Sequence, residues 1–106
     1  MAADSAPVIV EPEGEIDLHS SPAVREELAP CLDQERKQIV LDLSKVTYID
    51  SSGLAVFIET MQKIQSYGGK FILCGLTEGV AQIFKIARLD QIFTIAPDRA
   101  TALTQF

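Results

Sequence analysis

A chain of 106 residues with 47% apolar, 7% aromatic and 23% charged side chains has room for one domain with a real core, which excludes a multi-domain machine and a disordered segment. Nine Lys and Arg against fifteen Asp and Glu leave a net charge of −6 with no basic cluster, which opposes direct nucleic-acid binding and anionic membranes. The longest apolar run, Leu54–Ile58, has five residues and the start (MAADSAPVIV) has no basic segment, so a soluble cytoplasmic protein is expected.

Residues 1–7 are small and polar and are expected to form a loose terminus ahead of a single domain over 8–106. Val8–Val10 starts a strand. Glu11-Pro12-Glu13-Gly14 then reads as a turn before Glu15-Ile16-Asp17, leaving two arrangements open: a tiny hairpin, or one edge strand bent at Pro12 and Gly14. Ser20 or Ser21 before Pro22 signals a helix start, with Glu26 and Glu27 favouring its positive end; the helix should run over 22–35 and be kinked or shortened by Pro30. Ile39-Val40-Leu41-Asp42-Leu43 has the branched, almost wholly apolar character of a central strand. Val46–Ile49 is a further strand, and a second helix over 52–66 follows, with Leu54, Phe57, Ile58, Met61 and Ile64 as its apolar stripe and Gly68-Gly69 as its stop. Phe71–Cys74 forms another buried strand, and Thr77 caps a third helix over 78–88. Ile92–Ile95 is a last short strand, and Pro97-Asp98 opens a final helix to Phe106. Strands alternating with helices make an α/β fold.

The most informative stretch is Asp50-Ser51-Ser52-Gly53, where an apolar strand stops and an amphipathic helix starts. Plain capping explains a carboxylate and two hydroxyls there, with Gly53 allowing close packing. A helix N-terminus at the end of a strand in an open α/β sheet is also where such folds present sites, and one that suits a phosphate. Glu15 and Asp17, two apart, are either solvated loop charges or a pair of carboxylates on one side of an extended segment. Ala55 and Val56 lie off the main stripe of the second helix, either as partner surface or as burial within the domain.

Catalytic chemistry finds little support. The nucleophile elbow GxSxG is absent, His19 is the lone candidate base, and neither a Walker lysine nor GxGxxG occurs. Cys31 and Cys74 lack CxxC spacing and read as small buried hydrophobes, so neither a metal nor a cofactor is expected.

Gly14-Glu15-Ile16-Asp17, Ile39 to Ser44, Tyr48-Ile-Asp-Ser-Ser-Gly-Leu54, Tyr67-Gly-Gly-Lys70 and Leu73-Cys-Gly75 together resemble the STAS domain of bacterial anti-sigma factor antagonists, from about Val8 to Leu103. The resemblance implies a small mixed central sheet of about four strands with about four helices, the family's first strand missing because only seven residues precede Val8. It favours the bent strand over the hairpin, with an open sheet edge suited to pairing two copies. It implies that this is no enzyme. Ser51 would be the phosphorylation site of an anti-sigma factor serine kinase, the unphosphorylated chain sequestering that kinase and a serine phosphatase resetting it, so that transcription is regulated indirectly through a sigma factor. The partner surface would comprise Glu15, Asp17, Asp50, Ser51, Ser52, Gly53, Leu54 and Val56. Proteins of this kind also serve as non-switching docking subunits of lipid-transport ABC systems or stress-sensing assemblies, which is the alternative reading.

Overall fold

The short β-branched runs of the sequence become strands and the segments between them wind back as helices, so that every strand pair in the computed structural model, which describes residues 6–106, is parallel. The elements are β1 (Val8–Val10), β2 (Gly14–Ile16), α1 (Ser21–Asp33), β3 (Gln38–Asp42), β4 (Val46–Ile49), α2 (Ser51–Ser66), β5 (Lys70–Cys74), α3 (Glu78–Ile86), a 3-10 turn (Leu89–Gln91), β6 (Thr94–Ala96) and α4 (Arg99–Leu103). Four strands form one sheet in the order β1-β3-β5-β6, while β2 and β4 form a separate parallel pair. The four helices and four-stranded sheet match expectation, but the sheet is not mixed among the described residues. Each of its connections carries a helix across, and such crossovers return the chain in the same direction.

Val8 pairs with Ile39 and Ile16 with Ile49, so β1 and β2 run as one interrupted course beside the β3–β4 course, and no hairpin forms. Residues 11–13 pair with neither sheet, so Pro12 forfeits no ladder bond, and Gly14 resumes the strand at φ +77°. Among the described residues β1 is one edge of the sheet, with β6 the other; it is three residues long between Pro7 and Pro12, neither of which has an N–H to offer a second strand. The expected loose terminus falls mostly on residues 1–5, outside those described; Ala6 is held through its carbonyl by the Arg36 guanidinium at 3.0 Å.

Strand alternation divides the core. Ile39, Leu41, Phe71 and Leu73 face α1, α2 and α3, where Val24, Leu28, Phe57, Ile64 and Phe84 are buried. Val40, Ile72, Cys74 and Ala96 face the other way, beneath Ala102 of α4 and Phe106. Asp42 lies on this second side with only 7% of its side chain exposed, where Arg99 donates to it at 2.9 Å and reaches Glu11 at 2.8 Å. That pair fastens α4 to the ends of β3 and β1.

Several boundaries differ from the periodicity. Helix α1 runs through Pro30 without breaking, since Pro30 and Glu26, four residues earlier, both lie on the solvent side, where the carbonyl that loses its helical partner is open to solvent. Helix α3 ends at Ile86 because Arg88 turns left-handed at φ 60°; Phe93 is then drawn inward against Phe71 and Phe84, which delays β6 to Thr94. Helix α4, capped by Asp98 accepting from the Thr101 amide at 2.7 Å, stops at Leu103 short of Phe106.

Candidate functional site

Strands β2 and β4 end together. The Asp50 N–H donates to the Ile16 carbonyl at 3.0 Å, which ties the last residue before α2 to the last residue of β2. Asp50 then leaves the strand in extended conformation and its Oδ1 accepts from the Ser52 amide at 2.8 Å and the Gly53 amide at 3.4 Å, while its carbonyl takes the Leu54 amide. Two of the four amides that open a helix without partners are therefore satisfied by the Asp50 carboxylate, and the Asp50 carbonyl accepts the first bond of the helix itself. The capping predicted for this motif is present, and it is Asp50 that supplies it.

Ser51 is left with nothing to do inside the protein. It is exposed, it is the first residue of a 16-residue helix, and its hydroxyl makes no hydrogen bond among the described residues. Ser52 and Leu54 are half-buried. Gly53 is buried and leaves no room for a side chain without a shift of its neighbours: a Cβ there would sit 2.6 Å from Ile16 Cγ2 and 2.7 Å from Ile49 Cγ1. The glycine lets the first turn of α2 lie directly on the β2–β4 pair, and so sets the height at which Ser51 is displayed.

Val56 departs from expectation. It is 2% exposed, lining a cleft of about 280 Å³ between α1 and α2 with Leu28 and Thr60, so its side chain is not available as partner surface. Helix α2 is covered by α1 as well as by the sheet, which widens its buried arc to include Val56 and Thr60 and leaves Leu54, Ile58 and Met61 half-buried at the margin. Ala55 remains exposed.

Glu15 is exposed in β2 opposite Tyr48, but Asp17 has turned inward on its own loop. The carboxylate of Asp17 accepts from the His19 amide at 2.9 Å and the Ser20 amide at 3.0 Å, and the Ser20 amide above all holds its pKa below the usual carboxylate value, with desolvation opposing. Ser20 precedes α1 without capping it: its hydroxyl donates to the Glu15 carbonyl at 2.7 Å and accepts the Asp17 amide at 2.9 Å. The two carboxylates thus do different work, Glu15 facing solvent and Asp17 fixing a turn. What the sequence reading missed lies between them and beside them: Leu18 is 71% exposed and Tyr48 47% exposed. An apolar residue inside the polar Asp17–Ser20 turn was the available signal.

His19 makes no hydrogen bond to Ser51, and among the described residues no three of His, Cys, Asp and Glu are grouped to hold a metal ion. Nor is any helix among them long and apolar enough to cross a membrane. The arrangement presents a hydroxyl to solvent at the start of α2.

Comparison with known proteins identifies the fold and the family. The STAS domain model matches residues 2–102. Over 83 residues the chain is 37% identical to the anti-sigma-B factor antagonist of Bacillus subtilis, covering 78% of this chain and 75% of that protein. A crystal structure of an anti-sigma factor antagonist from Mycobacterium paratuberculosis superposes with a TM-score of 0.83 at 27% identity, covering 91% of this chain and 81% of that one. The anti-sigma factor antagonist SpoIIAA in its unphosphorylated form shares the fold, with a TM-score of 0.71 at 17% identity over 92% of this chain and 86% of that one. By its sequence and its fold, this chain belongs to the STAS domain family.

Proposed function

We propose that the protein is an anti-sigma factor antagonist whose Ser51 is the substrate of an anti-sigma factor serine kinase. Unphosphorylated, the chain binds that kinase through the Ser51 end and keeps it from its sigma factor. Phosphorylation of Ser51 releases it, and a serine phosphatase restores the binding form. The observation that carries this reading is an exposed, unbonded Ser51 hydroxyl at the first position of α2, beside an Asp50 whose carboxylate already occupies the neighbouring amides.

That occupancy matters to the mechanism. A phosphoryl group on Ser51 gains from the helix dipole but would have to displace Asp50 to reach the Ser52 and Gly53 amides. Its charge, about −2, therefore stays directed outward beside a carboxylate, taking the net charge from −6 to about −8. Like-charge crowding and desolvation at an interface cost on the order of a few kcal/mol, enough to release a partner without refolding this domain. The kinase supplies nucleotide, metal and base; this chain supplies the hydroxyl.

The test is mass spectrometry of the protein after incubation with ATP and the anti-sigma kinases of the same genome, with Ser51→Ala as control. One phosphoryl group on Ser51 is expected, with Ser51→Ala still binding the kinase and Ser51→Asp binding at least tenfold more weakly. Equal binding by both variants would remove the charge mechanism. No modification by any kinase, with stable binding to a transporter or scaffold subunit instead, would favour the docking role.

A further inference from the structure

Leu18 leaves 71% of its surface in water from a turn whose backbone is fixed at five points. The Asp17 amide bonds to Ser20 Oγ, the Ser20 hydroxyl to the Glu15 carbonyl, the His19 and Ser20 amides to Asp17 Oδ1, and the Ser21 amide to the Asp17 carbonyl. A large apolar side chain displayed on a backbone already ordered loses little entropy when a partner covers it, which is the character of a binding anchor.

Its position is set by register. Ile16 lies opposite Ile49 in a parallel pair, and the Asp50 N–H bonds to the Ile16 carbonyl. Two residues beyond each member of that pair, the chains carry Leu18 on one course and Ser51 on the other, at the same end of the domain. Tyr48, opposite Glu15 on β4, is a second exposed large apolar side chain on this strand pair.

The carboxylates along these two courses largely lack a counter-charge. Glu13, Glu15 and Asp50 enter no ion pair among the described residues, in contrast to Glu11, which is held by Arg99 and Lys45. An anionic membrane would be repelled, and a two-fold contact between copies would set acid against acid. We propose that Leu18 is the apolar anchor of the Ser51 docking surface, entering an apolar pocket with a basic rim on the anti-sigma factor. The inference rests on the function proposed above and assigns the residue that carries much of the binding. It also explains why a phosphoryl group on Ser51 is effective: it places a hydrated dianion at the edge of a contact that must dry out to hold.

The experiment is calorimetric titration of the full chain with the anti-sigma factor of the same genome, for the unaltered protein, Leu18→Ala and Leu18→Met, with melting curves and the kinetics of Ser51 phosphorylation. Leu18→Ala is expected to weaken binding about tenfold or more, the scale of losing most of a buried leucine side chain, and to raise the KM for Ser51 phosphorylation with kcat little changed. Leu18→Met should remain within about threefold of the unaltered protein. Unchanged affinity in Leu18→Ala, or weakened affinity together with a melting point lower by more than about 5 °C, would overturn the anchor. An unaltered protein that binds no anti-sigma factor sinks the functional reading and the anchor with it, whereas tight binding indifferent to Leu18→Ala sinks the anchor alone.

Discussion

Replacing Gly53 by alanine tests the close approach on which the Ser51 site is built. The new methyl group would lie 2.6 Å from Ile16 Cγ2, 2.7 Å from Ile49 Cγ1 and 3.1 Å from Ile49 Cδ1, about 1 Å short of ordinary carbon contact at the first two. Both isoleucines are 1% exposed, and the two closest atoms branch directly from Cβ, so neither can swing aside as the tip of a long side chain would. Overpacking of this kind costs about 1–3 kcal/mol. Against it stands the helix preference for alanine over glycine, at most about 1 kcal/mol in a helix interior. The balance is a loss of about 1–2 kcal/mol, which for a domain of this size lowers the melting point by roughly 5–10 °C. Thermal unfolding followed by circular dichroism reads the shift, and urea titration gives the free energy. A variant melting at or above the unaltered protein would show that the helix can lift off the strands without penalty, and the argument for a fixed Ser51 height would fail.

Removing the Asp50 side chain leaves the Ser52 and Gly53 amides without their acceptor, so Asp50→Ala should cost about 1 kcal/mol, and Asp50→Ser, which retains a capping oxygen, much less. Partner binding should fall further than this stability loss, and a urea midpoint unchanged in Asp50→Ala would refute the capping geometry. Asp42 yields a pH prediction. Burial pushes its carboxyl up, but the Ser44 hydrogen bonds and the Arg99 guanidinium outweigh it, so the folded pKa lies below the ordinary value near 3.8. The stability this contributes is present above that value and is lost as pH falls through the folded pKa. Arg99→Gln should therefore cost about 1–2 kcal/mol at pH 7, the cation being 41% exposed and partly screened, and should bring acid unfolding to a higher pH. Urea midpoints measured from pH 7 to pH 2.5 test it, since an ion-pair deficit must shrink once Asp42 is protonated, and one of constant size would point to lost packing.

Local signals in the chain were sufficient for most of the fold. Branched apolar runs such as Ile39–Leu43 and Phe71–Cys74 have few alternatives to buried strands, and a helix-period stripe after Asp50-Ser51-Ser52-Gly53 has few alternatives to a capped helix. The motif also placed the cap among Asp50, Ser51 and Ser52, because capping is a matter of residues within three positions of one another, and the structure shows Asp50 supplying it.

Where the outcome depended on what lay across space, the sequence was silent or misleading. Val56 fell off the stripe expected for α2, yet α1 covers that flank and buries it. Pro30 should have disturbed α1, but its missing bond faces water. Arg88 and Phe93 moved the end of α3 and the start of β6 because Phe93 packs between rings from β5 and α3. Asp17, a plausible surface acid by position, is consumed by the amides of its own turn, and Leu18 is thereby held out in solvent just past the end of β2. Composition, periodicity and the short capping motif therefore determined which elements form and where α2 is capped. Only the tertiary structure decided which faces are spent on the core and which remain for a partner, since that depends on packing between elements distant in the chain.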